Sequence, residues 1–139
     1  MAEGQVEKLC PFVLRGVGPA RQILAFRHPL AGLQIVKGTR ELGEEICAGA
    51  QREFLEETGY VGDLAEGPRW SSANIADGQL WHFVPVSSRD LPETFSCTTS
   101  DDGGHEFLFF WHGLDDPPLS PDWHIIFQRA LADIRHHMR

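Results

Sequence analysis

The chain has 139 residues, with 42% apolar and 23% charged side chains, which describes one ordinary globular domain over residues 1–139. A formal net charge of −8 repels a phosphate backbone, so no nucleic-acid partner is expected, while a small anionic substrate stays open where a cation neutralises the site. The longest apolar run, Phe107-Leu108-Phe109-Phe110-Trp111, is far short of the roughly 20 residues of a membrane span, and the first residues lack a signal-peptide pattern, so no membrane partner and a cytoplasmic location are expected.

In chain order, Lys8–Leu14 and Gln22–Phe26 are short apolar runs separated by Gly16-Val17-Gly18-Pro19, and Gly32–Val36 is a third short run. Each reads as a strand. From Gly43 the period turns helical and runs to Thr58, where Gly59 offers a stop. Pro68–Ser72 and Leu80–Val86 read as strands around the polar stretch 73–78. The segment Arg89–Ser100, rich in Ser and Thr, has no assignment; Asp101-Asp102-Gly103-Gly104 is a turn, and His105–Trp111 is the most apolar strand. Ser120-Pro121-Asp122 opens a last helix ending near His137, with the basic residues 135–139 on its solvated end. This order predicts an α+β domain, with helices packed on a mixed sheet. Cys10, Cys47 and Cys97 are odd in number, widely spaced and without a CxxC, so reduced thiols are expected.

The first helix carries the chemistry. At 100° per residue, Ile46, Cys47, Ala50 and Phe54 make its core stripe. Glu53, Glu56 and Glu57 fall on a neighbouring arc, spaced i, i+3 and i+4, with Gly49 one turn earlier leaving room for something to approach the backbone. Like charges at that spacing cost a few tenths of a kcal/mol per pair, and more beside a core. A hard divalent cation would compensate for them, and Arg52 is the nearest resident cation. A solvated acidic helix face is the competing reading.

Residues Gly38, Glu44, Arg52, Glu53, Phe54, Glu56, Glu57 and Gly59 stand at the spacing of the Nudix box, G-x5-E-x7-R-E-U-x-E-E-x-G-U, with Tyr60 filling the last apolar position loosely. The segment resembles that of the Nudix hydrolase superfamily. The resemblance implies an α/β/α sandwich and hydrolysis of a pyrophosphate bond in a nucleoside diphosphate linked to another moiety, with Mg²⁺, or Mn²⁺ in its place. It implies metal ligation by Glu53, Glu56 and Glu57, with the Gly38 carbonyl as a further candidate and Gly38 as a sharp turn. Arg52 would orient a carboxylate, and Glu44 would support the loop. The general base would be Glu53, or a residue outside the box, for which Glu106 is the candidate. Lys37, Trp81, His82 and His105 are candidate contacts for a small nucleotide-type substrate, and recognition is expected from segments 71–79 and 87–104. Trp70 and Trp111 are weaker stacking candidates beside Trp81. A homodimer is left open.

Overall fold

The computed structural model describes residues 5–99, 104–117 and 121–139. The expected turn at 101–103 and the helix start at Ser120 lie outside those residues. The strands are β1 (Val6–Phe12), β2 (Leu14–Arg15), β3 (Gln22–His28), β4 (Gly32–Gln34), β5 (Gly38–Thr39), β6 (Asp63–Leu64), β7 (Trp70–Ser72), β8 (Gln79–Ser87), β9 (Phe95–Thr98) and β10 (Glu106–Gly113). The helices are α1 (Ile46–Thr58) and α2 (Ile125–His137). One sheet is mixed, in the order β5-β1-β8-β6 with β7 also on β8; its β1–β8 pair is parallel and the others antiparallel. The other is antiparallel, in the order β2-β3-β10-β9 with β4 on β3.

Two apolar cores flank these sheets, one under each helix. Successive side chains of a strand point to opposite faces. On β3, Ile23 and Ala25 enter the core shared with Phe127, Leu131 and Ile134 of α2, while Leu24 and Phe26 enter the core shared with Ala50 and Phe54 of α1. On β8, Trp81 and Phe83 face α2, and Val84 and Val86 face α1. Strands buried on both faces read as continuous apolar runs, which is why their sequence shows no alternation. The expected α+β sandwich with helices on both sides is the observed architecture. Among the described residues, no helix is long and apolar enough to cross a membrane.

Both helices start later than their sequence pattern suggests. Glu45 caps α1 with its own side chain, accepting from the Ala48 N–H at 2.6 Å, so Gly43, at φ 74°, stays outside. At the other end Gly59 takes the left-handed cap at φ 81°, as expected. Before α2, Trp123 bridges to Leu33, whose N–H donates to the Asp122 carbonyl at 2.9 Å. That pairing holds the segment extended beside β4 until His124 caps the helix. Strand β9 has no assignment from sequence because Phe95 and Cys97 alone turn inward; the Phe95 ring stacks on Phe109 with centroids 4.6 Å apart. The three cysteines are free, with Cys10 and Cys47 buried.

Candidate active site

Lys8 of β1, strands β4 and β5, and one face of α1 line a cleft of about 800 Å³. Glu53, Glu56 and Glu57 line it together, as do Lys37, Gly38 and Arg52. The helical spacing brings these three carboxylates to one place, as the sequence predicts.

Arg52 organises the group. Its Nε and Nη2 donate to the two Glu44 carboxylate oxygens at 2.6 and 2.8 Å, and its Nη1 donates to Glu53 at 2.9 Å and Glu56 at 3.1 Å. Nη2 also donates to the Thr39 carbonyl at 3.3 Å, tying the helix to β5. A planar guanidinium serves several carboxylates in this way because its donors are fixed in a fork. The hydrogen bonds from Arg52 pull the Glu44 carboxyl down to about 2, and those same bonds raise Arg52. Glu44 thus supports the loop, and its Oε1 also accepts from the Glu41 N–H at 3.0 Å. The close approach expected at Gly49 is real: a Cβ there would stand 2.6 Å from Glu44 Oε1 and 2.6 Å from Leu9 Cδ1.

Gly38 has a different reason from the expected one. Its φ is not in the left-handed region, and it lies in extended backbone paired with Leu9. What requires glycine is the Glu53 carboxylate, which packs onto the Cα: an added Cβ would lie 1.9 Å from Glu53 Cδ. Only 8% of Glu53 is exposed, so this glycine seat fixes where its carboxylate can be.

Lys8 joins the site across the β1–β5 pair, where it stands opposite Thr39. Its Nζ donates to Thr39 Oγ1 at 2.8 Å. Burial lowers the Lys8 pKa, neighbouring Lys37 lowers it further, and Glu53 pulls it back up. His28, Gln34 and Arg40 also line the cleft. Sequence reasoning missed these residues, because only strand pairing brings them beside α1 and no local motif marks them.

Four expected site residues are placed elsewhere. Trp81 is fully buried in the α2 core, with its Nε1 donating to Gln79 at 2.8 Å. The alternation that buries Trp81 sends His82 to the opposite face, where its Nδ1 meets Ser71 Oγ at 2.7 Å and its Nε2 meets Glu7 at 2.7 Å. His82 reaches the cleft only at one remove, through Glu7 and Arg40, whose Nη1 donates to Glu7 at 2.9 Å. The His105 ring packs against that of His28, centroids 4.9 Å apart, and of the two only His28 lines the cleft. Glu106 is exposed on β10, on the face opposite its neighbour Phe107, which does line the cleft. None of the described residues in segments 71–79 and 87–104 lines the cleft; its walls come from 31–41 instead. Trp70 and Trp111 are likewise outside it: Trp70 stacks on Phe83 and His137, and Trp111 carries the Arg15 guanidinium.

The donor set suits a hard divalent cation, since carboxylate oxygens line the cleft and no cysteine does. Among the described residues, no three His, Cys, Asp or Glu side chains are gathered tightly enough to hold a metal unaided. The glycine cradle at 38 nevertheless presents the Glu53 carboxylate beside Glu56 and Glu57, which fits an ion that takes few protein ligands.

A family model described as NUDIX domain matches residues 12–130. Among solved structures, the chain is similar to a NUDIX hydrolase from Nitrosomonas europaea at a TM-score of 0.57 and 18% identity, covering 99% of this chain and 75% of that one. It is also similar to a second NUDIX hydrolase structure from that organism (TM-score 0.58, 18% identity, 97% and 91% covered). An ADP compounds hydrolase follows at a TM-score of 0.61 and 19% identity, with 94% and 71% covered. At these identities the structures speak for the fold alone. No curated protein matches the chain by sequence. The family match spans most of the chain and contains the whole carboxylate helix, and by it the chain belongs to the Nudix hydrolases, enzymes acting on phosphorus anhydrides that generally use divalent metal ions.

Proposed function

We propose that the chain hydrolyses the pyrophosphate bond of a nucleoside diphosphate linked to another moiety, with Mg²⁺ as its ion and Mn²⁺ as a substitute. The observation that carries this reading is the meeting of Glu53, Glu56 and Glu57 with Lys8, Lys37 and Arg52 in one cleft. Carboxylates alone would repel a pyrophosphate, and cations alone would bind it without offering a proton acceptor.

A divalent cation bound among Glu53, Glu56 and Glu57, with water and substrate completing its shell, would supply charge neutralisation, a more acidic water and stabilisation of the leaving phosphate. The chain's own residues supply the rest. Lys8 and Lys37 present ammonium donors to phosphate oxygens. Arg52 fixes the carboxylates of Glu53 and Glu56, which lowers the reorganisation needed during reaction. Glu53, seated on Gly38, is the group placed to accept the water proton at its carboxylate.

The test is turnover of a panel of nucleoside diphosphate derivatives, dinucleoside polyphosphates and nucleoside triphosphates in Mg²⁺, with ADP-linked compounds first. Released phosphate or monophosphate is the readout. Hydrolysis of at least one member, abolished in Glu56→Gln without loss of circular dichroism signal, is expected. No turnover by the unaltered protein would leave it a binding module, and full activity in Glu56→Gln would remove Glu56 from the metal site.

A further inference from the structure

A second pocket, of about 280 Å³, opens between the first turn of α1 and the β7–β8 pair, and it shares no lining residue with the carboxylate cleft. Its apolar walls are Ile46, Phe83 and Val84, and its polar ones include Arg69, Ser71 and His82. The hydrolysis proposed above uses none of these groups.

Strand register builds a polar row across the mixed sheet at this pocket. Ser71 on β7 stands opposite His82 on β8, and His82 stands beside Leu9 of β1. Glu7 is two residues before Leu9, so it lies on the same face. The Ser71 hydroxyl meets His82 Nδ1 at 2.7 Å, and His82 Nε2 meets a Glu7 carboxylate oxygen at 2.7 Å. Arg40 Nη1 donates to the other Glu7 oxygen at 2.9 Å. The bond to His82, and after it Arg40, hold the Glu7 carboxyl below its ordinary range, so Glu7 is charged and only accepts. Nε2 then carries the imidazole proton, which leaves the Nδ1 lone pair for the serine O–H.

Exposure changes along the row. Only 7% of His82 is exposed, whereas Ser71 is exposed on the pocket wall. Water would satisfy an exposed hydroxyl unaided, so nothing in the burial of Ser71 requires the imidazole. An accessible hydroxyl on a buried base, with that base oriented by a carboxylate, is the arrangement that activates a serine as a nucleophile. The pocket supplies what else such a centre needs. Arg69 donates through Nη1 to the Cys47 sulfur at 2.6 Å, and among the described residues it makes no ion pair, so its remaining N–H groups can meet a developing oxyanion. Glu45, also on the wall, disfavours an anionic substrate. A cavity of about 150 Å³ takes a benzene ring, so about 280 Å³ takes a short acyl chain or one substituted ring.

We propose that Ser71, His82 and Glu7 form a second, metal-independent nucleophilic centre that cleaves small neutral carboxylic esters with an apolar acyl group. Ser71 Oγ bonds to the acyl carbon while its proton passes to His82 Nδ1, and Glu7 holds the imidazolium at Nε2–H. Collapse of the tetrahedral adduct breaks the ester C–O bond, and the departing alcohol takes the proton from Nδ1. Water then attacks the acyl-serine, giving its proton to the same nitrogen, and the carboxylic acid leaves as the serine hydroxyl is restored. Ser71 and His82 are the catalytic residues, and Glu7 is a positioning residue.

The experiment treats the full chain, in EDTA, with diisopropyl fluorophosphate and maps the adduct by peptide mass spectrometry; cleavage of p-nitrophenyl acetate is followed in parallel. In the labelling step the serine oxygen bonds to phosphorus, fluoride leaves, and His82 takes the proton. An adduct on Ser71 is expected, with nitrophenolate release that the adduct blocks and that Ser71→Ala lacks. Glu7→Gln tests the positioning residue. Arg40 claims the new amide oxygen, which turns the amide N–H₂ toward His82 Nε2 and moves the ring proton to Nδ1. The ¹⁵N spectrum of the His82 ring should show that change of tautomer, and labelling should slow at least about a hundredfold. No adduct on Ser71, release that requires Mg²⁺ or continues undiminished in Ser71→Ala, or unslowed labelling in folded Glu7→Gln would overturn the proposal. None of these outcomes depends on pyrophosphate turnover.

Discussion

Replacing Gly38 by alanine tests the site at its tightest point. The added methyl would lie 1.9 Å from Glu53 Cδ and 1.9 Å from Oε2. Ordinary carbon contacts begin near 3.5 Å, so the carboxylate has to retreat by about 1.5 Å. It cannot do so freely, because it is buried and bonded to Arg52 at 2.9 Å. Overpacking of this kind costs about 1–3 kcal/mol of stability. The effect on rate is larger in proportion, since a displacement of about 1 Å at a reacting group is worth roughly a hundredfold. The expected result for Gly38→Ala is a folded protein, melting a few degrees lower, with kcat reduced about a hundredfold. The assay is phosphate release in Mg²⁺, run with Glu53→Ala and the double variant. If the glycine acts only by seating Glu53, Gly38→Ala should add little to the loss already caused by Glu53→Ala. Wild-type kcat in Gly38→Ala, or losses that simply multiply in the double variant, would refute the seating argument.

Acid should unfold the protein through Glu44. Its carboxyl is held at about 2, below the ordinary 4.5, so the stability it contributes is complete above pH 4.5 and is lost as pH falls toward 2; the melting temperature should drop through that window, and less steeply in Glu44→Gln. Glu7, lowered chiefly by its bond to His82, and Glu45, lowered chiefly by the Ala48 N–H, should steepen the same decline. Arg52→Lys keeps the charge but not the fork, so it can satisfy Glu44 or the Glu53–Glu56 pair and not both; a loss of about 1–3 kcal/mol in urea unfolding and a drop in kcat are expected, and equal stability would show the fork to be dispensable. Iodoacetamide followed by mass spectrometry should label Cys97 ahead of Cys10. Cys97 is only half-buried, though burial and Glu57 raise its thiol, so its labelling should accelerate above pH 9; Cys10, fully buried and raised further, should stay unlabelled until the protein unfolds.

What could be read in the sequence divides by the range of the interaction. The carboxylate face was legible because helix spacing is local: residues at i, i+3 and i+4 meet whatever the rest of the chain does. The cap at Gly59 and the close approach at Gly49 follow from the same local rules, though what approaches Gly49 is Glu44 and Leu9 and not a ligand. The substrate side was not legible, because strand register is a long-range quantity. Lys8 enters the site through its pairing with Thr39, and Gln34 through a β3–β4 hairpin, neither of which leaves a signature in a window of ten residues. The same alternation sets where the aromatic and acidic candidates point. A Trp beside a His on one strand cannot serve one site from one face, and here burial took Trp81 to the α2 core while Glu7 and Ser71 took His82. Glu106 lies outward for the matching reason: Phe107 takes the inner face of β10, and that choice turns its neighbour outward. Burial of the large apolar side chain is worth about 1.5–3 kcal/mol. An exposed carboxylate gains nothing comparable by pointing inward without a partner. Where a strand carries one large apolar residue beside a polar candidate, the apolar residue sets the face, and the polar one serves the cleft only if that face leaves it there.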